Sequence, residues 1–165
     1  MTNSVEILVE QLAERFLKIS KRLVTAESCT GGGLAENLTR FPGSSSWFDC
    51  GFITYSNQSK QEILSVSSEI IEEFGAVSEE VALEMAKGAL EKSTADYSVS
   101  ITGTAGPDGG SEDKPVGTVC IAWYERNKGG NTTRINFEGD RQRVREQSCL
   151  LAMQGLLDIL QKSSD

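Results

Sequence analysis

A serine, a cysteine, a lysine and a tyrosine frame the chemistry open to this chain. Ser28 and Cys29 lie in VTAESCTGGGLAENL, residues 24 to 38, where an apolar run gives way to three glycines and a helical pattern. Tyr55 and Lys60 bound the stretch YSNQSK. The chain contains no histidine. That removes a Ser-His-Asp triad, a Cys-His pair and every His-ligated metal site. A serine nucleophile here would need another base, and lysine is a known one provided its amine is neutral. Burial and neighbouring cations lower a lysine pKa. A tyrosine within hydrogen-bond range of Lys60 could relay the proton.

Each of these motifs also has a plainer reading. ESCTGGG can hold an anion, because a helix N-terminus presents unpaired N–H groups and glycines let a ligand approach them. It can equally be a capped helix start. It is neither a Walker A loop nor G-x-G-x-x-G. Lys60 can be a solvated surface residue. Cys29 ranks below Ser28, since no activating base adjoins it, although a helix N-terminus lowers a thiol pKa. The loop ITGTAGPDGG, residues 101 to 110, exposes backbone and is either a binding loop or a surface turn. In GDRQRVR, residues 139 to 145, Arg141 and Arg145 are four apart and share a helix face. Two guanidinium groups there suit a phosphate or carboxylate, or else a salt-bridged surface.

The elements that must position these residues follow from periodicity. Val5, Leu8, Leu12 and Phe16 form a helical stripe over residues 4 to 19. LVTA reads as a strand, residues 31 to 41 as a helix stopped by Pro42-Gly43, and GFITY (51 to 55) as a second strand. Ser56 or Asn57 caps the next helix, and Ser78 caps a helix over 78 to 93. YSVSITG (97 to 103) is a third strand. TVCIAWYE and TRINFEG form a hairpin across RNKGGNT. A helix over 140 to 162 closes the chain, with Asp140 available as its N-cap. Strands alternating with helices, plus one hairpin, predict a single α/β domain over 1–165, a three-layer α/β/α sandwich with a mixed β-sheet. Ligands in such sheets bind beyond the carboxyl ends of the strands, where 27 to 33, 55 to 60 and 102 to 110 all fall.

Composition narrows the classes. Hydrophobic residues at 38% and charged residues at 24% describe an ordinary globular chain. No apolar run reaches the ~18 residues of a membrane span. The first residues mix acidic with apolar side chains, unlike a signal peptide, so a cytoplasmic location is expected. The net charge of -8 disfavours nucleic acid as a partner. Cys29, Cys50, Cys120 and Cys149 form no C-x-x-C pair and read as reduced thiols. Trp47 and Trp123 read as core or interface residues and not as a stacking platform.

TAESCTGG, GSSSWFDCGFITYSNQSK, GAVSEEV, ITGTAGPDGG, KPVGTV and GDRQRVR together resemble the CinA C-terminal domain family, in particular its stand-alone nicotinamide-nucleotide amidohydrolases. The resemblance spans about residues 20 to 155. It implies hydrolysis of nicotinamide mononucleotide to nicotinate mononucleotide and ammonia, with no cofactor and no metal. By the same resemblance Ser28 is the nucleophile, Lys60 the base and Tyr55 its assistant. The backbone of Thr30, Gly31 and Gly32 holds the oxyanion. Thr102, Gly103 and Gly106 belong to the loop lining the site, and Arg141 and Arg145 to the family's last helix. Thr104 stands where that loop often carries an apolar residue. A non-catalytic nucleotide-binding module, or an amidase of another small anion, is the alternative, and a homo-oligomer is compatible with either.

Overall fold

The computed structural model describes residues 2–163; Met1, Ser164 and Asp165 of the expected 1–165 domain lie outside the described residues. Five strands form one sheet: β1 (Leu23–Glu27), β2 (Phe48–Ile53), β3 (Tyr97–Gly103), β4 (Thr118–Glu125) and β5 (Gly129–Asn136), in the order β2-β1-β3-β4-β5. β2, β1 and β3 run parallel, and β4 and β5 complete the sheet as an antiparallel hairpin. The sheet is mixed, as the sequence predicts.

Helices cover both faces. On one, α1 (Thr2–Ile19), α2 (Gly33–Leu38) and α6 (Arg141–Lys162) bury Leu12, Phe16, Leu34, Val144 and Met153 against Leu23, Tyr97, Val99 and Ile121. Phe16 stacks on Trp47, and Trp123 Nε1 donates to Ala152 O at 2.9 Å. On the other face lie α3 (Asn57–Leu64), α4 (Ser68–Phe74) and α5 (Glu79–Glu91), with Leu64, Val81, Met85 and Leu90 packed on Val24 and Ala26. Alternation along β3 matches these two environments. Its odd positions are apolar toward α1 and α6. Its even positions donate to main-chain carbonyls: Ser98 to Ala86 O, Ser100 to Ala82 O and Thr102 to Ala76 O. Small hydroxyl side chains let α5 lie close to the strand while leaving no buried hydroxyl unpaired there.

The three predicted N-caps form: Ser56 Oγ accepts from Ser59 N–H, Ser78 Oγ from Val81 N–H and Asp140 Oδ1 from Arg143 N–H. Other boundaries move for local reasons. The helix expected over 31 to 41 shrinks to Gly33–Leu38, because Gly31 (φ 58°) and Gly32 (φ 101°) take left-handed backbone that a helix does not use. β2 starts at Phe48, not 51, since pairing with β1 already begins opposite Leu23, and it ends before Tyr55. β5 includes the Gly-Gly that was assigned to the turn; the reversal is confined to residues 126–128, with Asn127 at φ 66°. α4 had no periodic signal, having only Ile70 and Ile71 packed inward.

Candidate active site

β1, β2 and β3 end side by side: Glu27 pairs with Ile53 on one flank and Ile101 on the other. The chain leaves β1 for α2 on one face and leaves β2 for α3 on the opposite face. This divergence opens a crevice at the carboxyl ends of the strands, the usual ligand position in such a sheet. Two main-chain bonds extend the sheet into the crevice, Ser28 N–H to Ile101 O and Thr54 N–H to Glu27 O, both 2.9 Å.

Ser28 therefore sits on the last rung of β1, 7% exposed. Lys60 reaches it from α3. Lys60 and Leu64 are four apart, so the face that buries Leu64 in the core also carries the lysine inward, where it is 1% exposed. Lys60 Nζ lies 3.0 Å from Ser28 Oγ, 3.0 Å from Thr54 O and 3.2 Å from Tyr55 O. Among the described residues no carboxylate pairs with it, and burial pulls its pKa below the ordinary lysine value. A neutral amine has two hydrogens and one lone pair. With the hydrogens on the two carbonyls, the lone pair is left to face Ser28 Oγ.

Tyr55 is arranged differently from the proton relay expected of it. Only its carbonyl meets Lys60. The residue is 58% exposed, and its phenol oxygen accepts from Arg141 Nη2 at 2.9 Å. Arg141 Nη1 in turn donates to Gly106 O at 2.9 Å. Tyr55, Arg141 and Gly106 thus join three separate elements at the mouth of a cavity of about 230 Å³ lined also by Ser28, Lys60, Thr102 and Gly103. Thr102 contributes position more than a free hydroxyl, because its Oγ1 is committed to Ala76 O.

In the loop 28–33 the carbonyls of Ser28, Cys29 and Thr30 are all held. Gly31 N–H donates to Ser28 O and Gly33 N–H to Thr30 O. Arg145 Nε donates to Cys29 O and Arg145 Nη2 to Thr30 O, each at 3.1 Å. Of the three expected oxyanion donors, the Gly31 N–H is therefore engaged within the loop. The N–H groups of Thr30 and Gly32 are not, and neither is that of Cys29, which the sequence analysis did not nominate. Thr30 and Arg145 line a neighbouring groove of about 630 Å³ between α2 and α6, and Arg141 borders both spaces.

Glu27 was also missed. It is 1% exposed, and its carboxylate accepts from Leu34 N–H at 2.9 Å and Ala35 N–H at 3.1 Å. It caps α2 from the residue before Ser28, across the whole glycine turn. The only signal was an acidic residue at a strand end shortly before a helix start. Cys29 is a poor nucleophile in this setting, because burial pushes its thiol up to about 11. Among the described residues, no three His, Cys, Asp or Glu side chains converge to hold a metal ion, and no helix is long and apolar enough to cross a membrane.

The sequence matches the family model described as the CinA C-terminal domain over residues 5–160. It is 50% identical over 149 residues to the nicotinamide-nucleotide amidohydrolase PncC of Escherichia coli strain K12, covering 90% of each chain. A protein of the same name from Pseudomonas putida is 45% identical over 155 residues, 94% of this chain and 96% of the relative. Among solved structures, the competence/damage inducible protein CihA from Agrobacterium tumefaciens superposes with a TM-score of 0.92 at 40% identity, over 94% of both chains.

Proposed function

The chain belongs to the CinA C-terminal domain family, and from that premise we propose that it hydrolyses the carboxamide of nicotinamide mononucleotide, giving nicotinate mononucleotide and ammonia. The reaction class rests on relatives that carry the amidohydrolase name at 45% and 50% identity over nearly their whole length. The observation that carries the mechanism is the 3.0 Å approach of a buried, carboxylate-free Lys60 amine to Ser28 Oγ.

Neutral Lys60 takes the proton of Ser28 as Oγ attacks the carboxamide carbon. The carbonyl oxygen becomes an oxyanion and is held by main-chain N–H groups of the loop 28–33. The tetrahedral intermediate collapses, the C–N bond breaks, and Lys60 returns its proton to the departing amine, which leaves as ammonia. A water then loses a proton to Lys60 and attacks the acyl-serine, and Ser28 regains its hydrogen as nicotinate mononucleotide leaves. No redox step and no external proton carrier is required.

The test is to incubate the purified protein with nicotinamide mononucleotide without added metal, following ammonia and nicotinate mononucleotide, with Ser28→Ala in parallel. Turnover by the wild type that is lost in the variant is the expected result. Near-full turnover by Ser28→Ala overturns the covalent mechanism, and an inactive wild type overturns the substrate.

A further inference from the structure

Arg145 projects from α6 across the groove beside α2 and donates from Nε to Cys29 O and from Nη2 to Thr30 O. It thereby joins residues 116 and 115 positions apart in the chain. The edge of the guanidinium that would otherwise grip a phosphate or carboxylate side-on is already occupied by two carbonyls.

The consequence lies on the other side of those peptide groups. A trans peptide unit is planar, with its C=O and N–H pointing in opposite directions. Cys29 O and Thr30 N–H belong to one unit, so Arg145, by holding the carbonyl, turns Thr30 N–H away from itself. Ser28 O and Cys29 N–H belong to the preceding unit, whose carbonyl accepts from Gly31 N–H. Gly31 in turn shares its peptide with Thr30 O, which is held by Arg145 and by Gly33 N–H. Every carbonyl from Ser28 to Thr30 is tied down, and directly after Ser28 the N–H groups of Cys29 and Thr30 donate to no carbonyl among the described residues. The residue following a nucleophilic serine is where oxyanion donors are found in other strand-to-helix turns.

We propose that Arg145 is a positioning residue, not a substrate ligand: it orders the Cys29 and Thr30 N–H groups as the oxyanion site of Ser28. The proposal rests on Ser28 being the nucleophile, as argued above, but not on the identity of the substrate. Arg141 is a contrast on the same helix face. Its guanidinium bridges Tyr55 and Gly106 at the cavity mouth and touches no carbonyl of the loop 28–33.

Two measurements on Arg145→Ala and Arg145→Lys, each verified as folded by circular dichroism, decide it. The first is the kcat and KM split with nicotinamide mononucleotide. Loss of one oxyanion donor lowers kcat by about 10²- to 10³-fold, so a fall of about 10²-fold with KM little changed is expected for Arg145→Ala. Added guanidinium ion should restore part of that kcat in the alanine variant. A raised KM with kcat intact overturns the proposal in favour of a phosphate ligand. The second is the labelling rate of Ser28 by a fluorophosphonate probe, in which Ser28 Oγ bonds to phosphorus, fluoride leaves, and the phosphoryl oxygen occupies the oxyanion position. Slower labelling of both variants is expected, with none in Ser28→Ala. Wild-type labelling without nucleotide turnover would sink the substrate reading and leave this one standing. Equal labelling of wild type and Arg145→Ala would sink this one alone, and a wild type that resists the probe removes the activated Ser28 on which both depend.

Discussion

The Tyr55 phenol is bonded to Arg141, not to Lys60: Arg141 Nη2 donates to Tyr55 Oη at 2.9 Å, while Lys60 meets only the Tyr55 carbonyl, at 3.2 Å. The tyrosine reaches Lys60 through its backbone and the cavity lined by Ser28 through its side chain. Tyr55→Phe keeps the carbonyl under Lys60 and the ring at the mouth, and removes only the bond to Arg141. kcat is expected within about threefold of wild type, far from the ~10²- to 10⁴-fold loss of a proton-transfer group. Steady-state kinetics of this one variant decides whether the hydroxyl carries a proton.

In the proposed mechanism Ser28 and Lys60 act on one proton, so their removals should not add. Ser28→Ala and Lys60→Met are each expected to cost at least ~10³-fold in kcat, with the double variant no worse than the poorer single one, as for groups that work as a unit. Additive losses in the same assay would place Lys60 in a different step from Ser28.

The lowered pKa of Lys60 has a sign that can be read in rate. With the neutral amine as the proposed base, kcat/KM should rise with pH through the free-enzyme pKa of Lys60 and then level off. Burial sets that rise below 10.5, the ordinary lysine value. An acid limb of kcat/KM only near 10.5 would mean that burial does not prepare the amine.

The same residue makes a stability prediction. Folded Lys60 holds its proton less tightly than the unfolded chain does, so the unfolded state binds more protons between the folded pKa and 10.5. Stability contributed by this group therefore rises with pH across that window, and the full penalty applies below it. Lys60→Met fills a similar volume without burying an amine. It should melt higher than wild type at pH 7 while lacking activity, and the gap in Tm should narrow toward pH 10. A lower Tm at pH 7 would mean that the bonds to Thr54 O and Tyr55 O outweigh the burial penalty.

Legibility in the sequence followed the range of the physics. The strands, the mixed character of the sheet and the N-caps Ser56, Ser78 and Asp140 were readable because alternation and capping are local. The missing histidine pointed to lysine, and the motif resemblance to Lys60. What was hidden depends on contacts distant in sequence. Gly88 looks like a flaw inside α5, yet a Cβ there would fall 2.0 Å from Leu64 O, so the glycine is what lets α5 rest on the end of α3. Arg145 read as an anion ligand because two arginines on a helix face suggest one. Only the fold shows that the Cys29 and Thr30 carbonyls occupy it. Glu27 escaped because its partners, Leu34 and Ala35, are presented to it by the left-handed turn at Gly31 and Gly32.

Glu27 gives the last prediction, and two substitutions separate its two effects. Its carboxylate receives two main-chain N–H groups of α2 while fully buried, and Ser28 follows it directly. Glu27→Gln keeps the shape but has only one oxygen acceptor, so one of the two N–H groups loses its partner and meets an amide nitrogen. Glu27→Ala loses both and leaves space beside the turn. A helix cap is worth ~0.5–2 kcal/mol, and hydrogen bonds to charged groups ~1.5–3 kcal/mol. Urea denaturation should show a loss of about 2 kcal/mol for Glu27→Gln and more for Glu27→Ala. Because the same turn carries Cys29 and Thr30, kcat should fall in step with stability across the pair, with KM changing less. Wild-type kcat in a destabilised Glu27→Gln would confine Glu27 to holding α2 and uncouple the turn from the chemistry.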